Sequence, residues 1–141
     1  MMFPKPKKKK KSSPTALRNK FWKIFSEYIR RRDCFDDEIA KCISCDAEKH
    51  WKELQAGHYV AKSLSLALRY HEKNVHAQCV ACNLWRHGIP TSCAFVLQRN
   101  YGVIILEELD QIRISNVGMK ISPSDYQEMI ETYKNKLEAM K

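Results

Sequence analysis

At 141 residues the chain has room for one domain with a modest core, with or without a tail. Its net charge of +9 comes from the N-terminal segment, because residues 1–32 hold twelve Lys or Arg against one acid, Glu27, and the rest hold thirteen against fifteen. That asymmetry points to a polyanion, and nucleic acid fits better than a membrane, since no apolar anchor accompanies the basic residues and no run is long enough to span a bilayer.

Residues 1–13, with Lys5 and Lys7 through Lys11, are expected to form a disordered basic tail. Its attraction to phosphate would be blind to sequence, and a simple solubilising role fits the same composition. The basic start runs into Ser12-Ser13-Pro14 and not into an apolar segment, so a reducing, cytoplasmic setting is expected. Residues 14–141 are expected to form a single zinc-containing domain of α+β class, with a core of about residues 42–88.

Ser13-Pro14 has the form of a helix cap followed by proline at the first helical position. Leu17, Phe21, Ile24, Phe25, Tyr28 and Ile29 recur at helical spacing, which predicts an amphipathic helix over 14–32. Its polar side carries Arg18, Lys20, Lys23 and Arg30 through Arg32. The acidic run Asp36-Asp37-Glu38 is expected to be a loop.

Two cysteine pairs then organise the chain. Cys42-Ile43-Ser44-Cys45 and Cys79-Val80-Ala81-Cys82 are both C-x2-C, a spacing that turns two sulfurs towards one metal. Four such thiolates suit a structural Zn²⁺; the alternative is four free buried thiols. Cys34 and Cys93 are left over as ordinary half-buried thiols, with Cys34 a candidate spare ligand. Between the pairs, short strands are expected near 51–60 and 69–75, joined by a loop or one helical turn at 61–68. A helix is predicted from Val80 to near Gly88, and another from Pro90 to Gly102. Val103 to Ile112 fits helix or strand. Ser122-Pro123 repeats the cap signature, and Tyr126, Met129, Ile130, Tyr133 and Leu137 predict a terminal helix.

The order strand, loop, strand, helix, with His58 on the first strand, Asn74 in the loop and Asn83 in the helix, has the plan of an HNH or His-Me finger nuclease. The motif series is more specific. Cys42-x2-Cys45, Ala56-Gly57-His58-Tyr59, Leu68-Arg69-Tyr70 and Asn74-Val75-His76-x-Gln78-Cys79-x2-Cys82-Asn83 resemble the phage NinG (Rap) recombination family. The likeness covers most of residues 21–141. It implies a zinc-clamped ββα unit flanked by N- and C-terminal helices, and a metal-dependent endonuclease acting on Holliday junctions and other branched DNA. A non-catalytic zinc-dependent DNA-binding module is the competing expectation.

Phosphodiester hydrolysis needs an activated water, a charge sink and help for the leaving oxygen. His58 is the candidate general base, since a neutral imidazole titrates near ambient pH; a structural histidine beside the zinc is the alternative. The resemblance implies that Asn74 holds the backbone of the histidine-bearing strand, although Lys73-Asn74 also reads as a turn. It further implies that Asn83 is a ligand for catalytic Mg²⁺, or Mn²⁺ in its place, because a hard cation suits an amide oxygen. Many His-Me finger proteins have Asp or Glu just before the histidine, whereas this chain has Gly57. That leaves Glu53, Gln55, His76, His87 or water for a second ligand. Lys62, Arg69, Arg86, Arg30, Arg31 and Arg32 are candidate phosphate contacts. Trp51, Tyr59 and Trp85 are expected in the core around the zinc, with stacking on a base as the other use. Two-fold junction symmetry suggests a homodimer, formed through the stripes at 17–29 and 126–137 unless these pack within one chain.

Overall fold

The computed structural model describes residues 3–5 and 13–141, so the expected basic tail lies almost wholly outside it. The first helix, α1 (Pro14–Arg32), starts where the cap signature places it: Ser13 Oγ accepts from Ala16 N at 3.1 Å, with Pro14 opening the first turn. Leu17, Phe21, Phe25 and Ile29, each one turn from the next, form its buried stripe. The terminal helix, α5 (Pro123–Ala139), begins with a capping box in which Ser122 and Asp125 bond reciprocally. Its Tyr126 and Ile130 meet the α1 stripe over Ala56 and Val75. The two stripes offered as dimer surfaces are therefore internal to one chain.

Between these helices lie two small antiparallel sheets. The acidic segment expected as a loop is instead a hairpin, β1 (Cys34–Asp36) and β2 (Ile39–Lys41), joined by β3 (Glu48–His50). Strands of three residues are too short for a readable alternation, and the Asp36-Asp37-Glu38 run is the hairpin's exposed turn. The second sheet pairs β4 (Leu54–His58) with β5 (Val75–Cys79) in continuous register, Ala56 opposite Ala77 and His58 opposite Val75. The second strand thus lies later than the expected 69–75. Leu66–Arg69 forms one helical turn, α2, capped by Ser65, and Asn74 closes the bend before β5. All five β5 residues are buried, including His76 and Gln78, so the strand shows neither polar alternation nor a pure apolar run.

After β5 the chain does not enter an ordinary α-helix. Ala81–Trp85 is π-helical, with Arg86 N donating to Ala81 O at 3.1 Å, and a turn with positive φ at His87, Gly88 and Ile89 follows. Helix α3 (Pro90–Tyr101) stops at Gly102, whose φ of 100° suits glycine. The ambiguous segment at 103–112 resolves as helix α4 (Ile105–Ser115). Its Ile105 and Leu109 pack with Leu97, Cys93, Leu68 and Ile43 in a second apolar cluster. Cys93 is thereby a core thiol, and Cys34 donates its S–H to Arg30 O at 3.4 Å.

Glu72, in the turn between α2 and β5, fastens this layout. Its carboxylate accepts from Tyr28 Oη at 2.7 Å on α1, and from Tyr133 Oη at 3.2 Å and Lys136 Nζ at 3.0 Å on α5. Both long helices are thus tied to the loop that places Asn74. No described helix is long and apolar enough to cross a membrane.

Candidate metal centre and active-site cleft

The first knuckle sits in the turn between β2 and β3, and the second begins at the last residue of β5. Ile43 N bonds to Ala77 O at 3.0 Å and docks one sheet on the other. As a result the Sγ atoms of Cys42, Cys45, Cys79 and Cys82 lie within 4.8 Å of one another, with Cys45 and Cys79 at 3.8 Å. A tetrahedron with Zn–S bonds of about 2.3 Å has edges of about 3.8 Å, so the cluster fits Zn²⁺ in size and donor chemistry. Backbone amides already face the sulfurs: Ser44 N lies 3.4 Å from Cys42 Sγ, and Cys82 N lies 3.4 Å from Cys79 Sγ. These bonds favour the charged thiolates that a metal requires. Four protein ligands leave no open position, which is the pattern of a structural site.

Beside this centre is an open cleft of about 840 Å³, lined by His58, Asn83, Gln55, Glu53, Lys62 and His87 among others. His58 ends β4 with its ring stacked on Trp22 of α1, centroids 5.3 Å apart and planes 19° from parallel. Its Nε2 lies 2.8 Å from Arg69 O. A carbonyl only accepts, so Nε2 carries the proton and the neutral ring keeps its lone pair on Nδ1. Nδ1 takes no hydrogen bond among the described residues. Burial holds this imidazole below its usual pKa; the charges of Lys62 and Arg69 act in the same direction, against the bond to Arg69 O. The ring is therefore neutral at pH 7.

Asn74 is fully buried and acts on the backbone around His58. Its Oδ1 accepts from Val60 N at 2.8 Å, and its Nδ2 donates to Val60 O at 3.0 Å and Leu68 O at 2.9 Å. One amide thus fixes the chain just after His58 and the α2 turn that supplies Arg69 O. Asn83 projects from the π-helical segment and donates Nδ2 to Gln55 Oε1 at 2.7 Å. That bond leaves the Asn83 carbonyl oxygen as the end available to a cation.

Gly57 has a steric reason. A Cβ there would overlap the side chain of Gln78, which is held by bonds from its Nε2 to Ser44 Oγ and Gly88 O. An acid at this position is shut out. Of the side chains considered as second ligand, Glu53, Gln55 and His87 line the cleft; His76 is buried elsewhere, bonded to Tyr101 Oη at 2.9 Å.

The basic candidates separate. Lys62 and Arg30 line the cleft, and Lys62 and Arg69 continue into a neighbouring pocket with Arg18 that His58 and Trp22 also line. Arg32 serves the fold instead, donating to Asp33 Oδ1, Glu72 O and Val75 O. Arg31 lies over the Trp51 ring at 4.3 Å and pairs with Glu27. Arg86 Nη1 approaches Cys82 Sγ at 3.9 Å and belongs to the metal centre's surroundings. Trp22 and Arg18 completed the site without a motif to announce them, and Gln55, expected only as a cation ligand, holds the Asn83 amide; only the helical period of α1 ties Arg18 and Trp22, one turn apart, to one face. Trp51 is buried as expected, but Trp85 is 76% exposed and not in the core.

Fold and site together define a small mixed α+β protein built around a four-cysteine cluster with the geometry to hold a metal. A family model described as Bacteriophage Lambda NinG protein matches residues 4–141, and the chain belongs to that family. It is 32% identical over 85 residues to Protein ninG of Salmonella phage P22, covering 59% of this chain and 38% of that protein. It is 38% identical over 63 residues to the Protein ninG of Escherichia phage lambda and to that of Escherichia phage 933W, covering 43% of this chain and 28% of each. The chain thus spans well under half the length of the relatives it matches. No solved structure matches it.

Proposed function

We propose that this protein is a metal-dependent endonuclease acting on branched DNA, four-way Holliday junctions first, with β4, β5 and the segment after Cys82 serving as a His-Me finger. The observation that carries the reading is the state of His58: neutral, aimed by Arg69 O and Trp22, with Nδ1 uncommitted at a cleft that also holds the Asn83 carbonyl. In this reading Nδ1 removes a proton from the attacking water while the Nε2–H bond to Arg69 O steadies the imidazolium that forms. Asn74 is a positioning residue, because it orders the backbone on both sides of that bond. Lys62, Arg69 and Arg18 lie where they hold phosphates flanking the scissile one. Mg²⁺, or Mn²⁺, at the Asn83 carbonyl would supply charge neutralisation at the phosphate and the departing oxygen. Gln55 orients the Asn83 amide, and Glu53 is the nearby carboxylate of suitable hardness.

The test is purified protein with Mg²⁺, given a four-way junction and a linear duplex of matched sequence. Cleavage of the junction supports the reading. Binding of both without cleavage of either replaces it with a non-catalytic zinc-dependent DNA-binding module.

A further inference from the structure

Three exposed apolar side chains stand together on the segment that follows the second knuckle: Val80, Leu84 and Trp85, with Trp85 the most open. A single exposed apolar residue needs no explanation, but this group has a rigid mount. Cys79 and Cys82 bring the segment into the four-cysteine cluster, Arg86 N closes it on Ala81 O, and Gly88 N bonds to Cys82 O at 2.7 Å. The other two tryptophans have ring partners, Trp22 on His58 and Trp51 under Arg30 and Arg31. Trp85 has none among the described residues.

Position and charge identify what would cover it. Val80 and Leu84 line the same cleft as His58 and Asn83, and the cationic residues of that cleft, Arg30, Lys52 and Lys62, outnumber its one acid, Glu53. Trp85 is not itself a lining residue; it directly follows Leu84, which is, and so stands beside the cleft. An occupant must therefore be anionic in the cleft and flat and apolar at its rim. We propose that Trp85, backed by Leu84, stacks on an unpaired or unstacked nucleobase next to the phosphate held in the cleft. Base faces are closed inside a duplex and open at a branch point, so this contact selects branched over linear DNA. The inference rests on the nuclease reading for its substrate, but it concerns binding and not hydrolysis.

The experiment measures binding of the full chain, without Mg²⁺, to a four-way junction carrying 2-aminopurine at the branch and to a matched duplex. Trp85→Ala is expected to weaken junction binding about tenfold while leaving duplex binding nearly unchanged, and Trp85→Phe to retain most of the preference. The branch fluorophore should respond to wild type and Trp85→Phe but not to Trp85→Ala. Zinc content and circular dichroism establish that the variants are folded. If wild type binds and cuts junctions and Trp85→Ala does so equally well, the stacking role is overturned alone, and the apolar tip is a protein-contact surface. If wild type binds no DNA, the stacking role and the nuclease reading fall together.

Discussion

At the scale of single residues the proposed mechanism depends on His58 and Asn83, which should fail differently. His58→Ala removes the base but no phosphate contact, so junction binding should persist while cleavage falls by about 10²–10⁴. Because burial depresses the His58 pKa, the wild-type rate should climb through a value below the ordinary imidazole pKa of about 6.5 and be level at neutral pH. A rate still rising above neutrality would mean that another group is the base. Asn83→Ala removes a cation's oxygen, so raising Mg²⁺ should partly restore its rate, whereas His58→Ala should show no such rescue. The candidates were partly legible: His58, Asn74 and Asn83 come from the motif series, and the structure puts His58 and Asn74 at one end of β4 and Asn83 near its other end, on the same cleft as His58. The stacking of Trp22 and the bond from Asn83 to Gln55 were not, because stacking on a ring and orienting an amide are tertiary acts that leave no local spacing.

At the scale of elements, long periodic segments were readable and short buried ones were not. Helices α1 and α5 announce themselves through Ser-Pro caps and apolar repeats. Strands β1 to β3 are too brief to show alternation, and β5 hides two polar residues behind its buried face. One of them, His76, makes a prediction about that strand. Burial lowers its pKa to about 4, whereas in the unfolded chain it titrates near the ordinary value, about 6.5. As pH falls between these values the unfolded state takes up a proton that the native state refuses, so stability should be lost, by up to about 3 kcal/mol. His76→Gln, which can still bond to Tyr101, should remove that part of the slope in chemical denaturation. An identical slope would show that His76 titrates alike in the native and unfolded states, against a depressed native pKa. The two knuckles close a loop between the sheets, so metal removal should melt this region before the α1–α5 layer. Loss of zinc without change in circular dichroism or in protease resistance at residues 42–88 would contradict that.

At the scale of the whole molecule, the proposed function raises the number of chains that a junction takes. A four-way junction has near two-fold symmetry, and its resolution requires two cuts, while this chain offers one His58 cleft. The apolar stripes that seemed available for pairing are occupied, Phe21 and Phe25 by Tyr70 and Tyr133, and Leu17 and Ile29 within the same cluster. Pairing through those stripes would require α1 and α5 to separate and Glu72 to lose its partners on both helices, exposing buried aromatics. We therefore expect the free protein to sediment as a monomer and two copies to assemble on one junction, each placing a cleft on a symmetry-related strand. The basic segment at residues 1–12 would add phosphate contacts to that complex, so its deletion should flatten the salt dependence of binding by about 0.9 in the log–log slope per lost contact. Sedimentation with a four-way junction in Mg²⁺-free buffer decides the stoichiometry. A saturated complex of one chain per junction would exclude paired cleavage within a single complex, and the two cuts would then have to come from successive binding events.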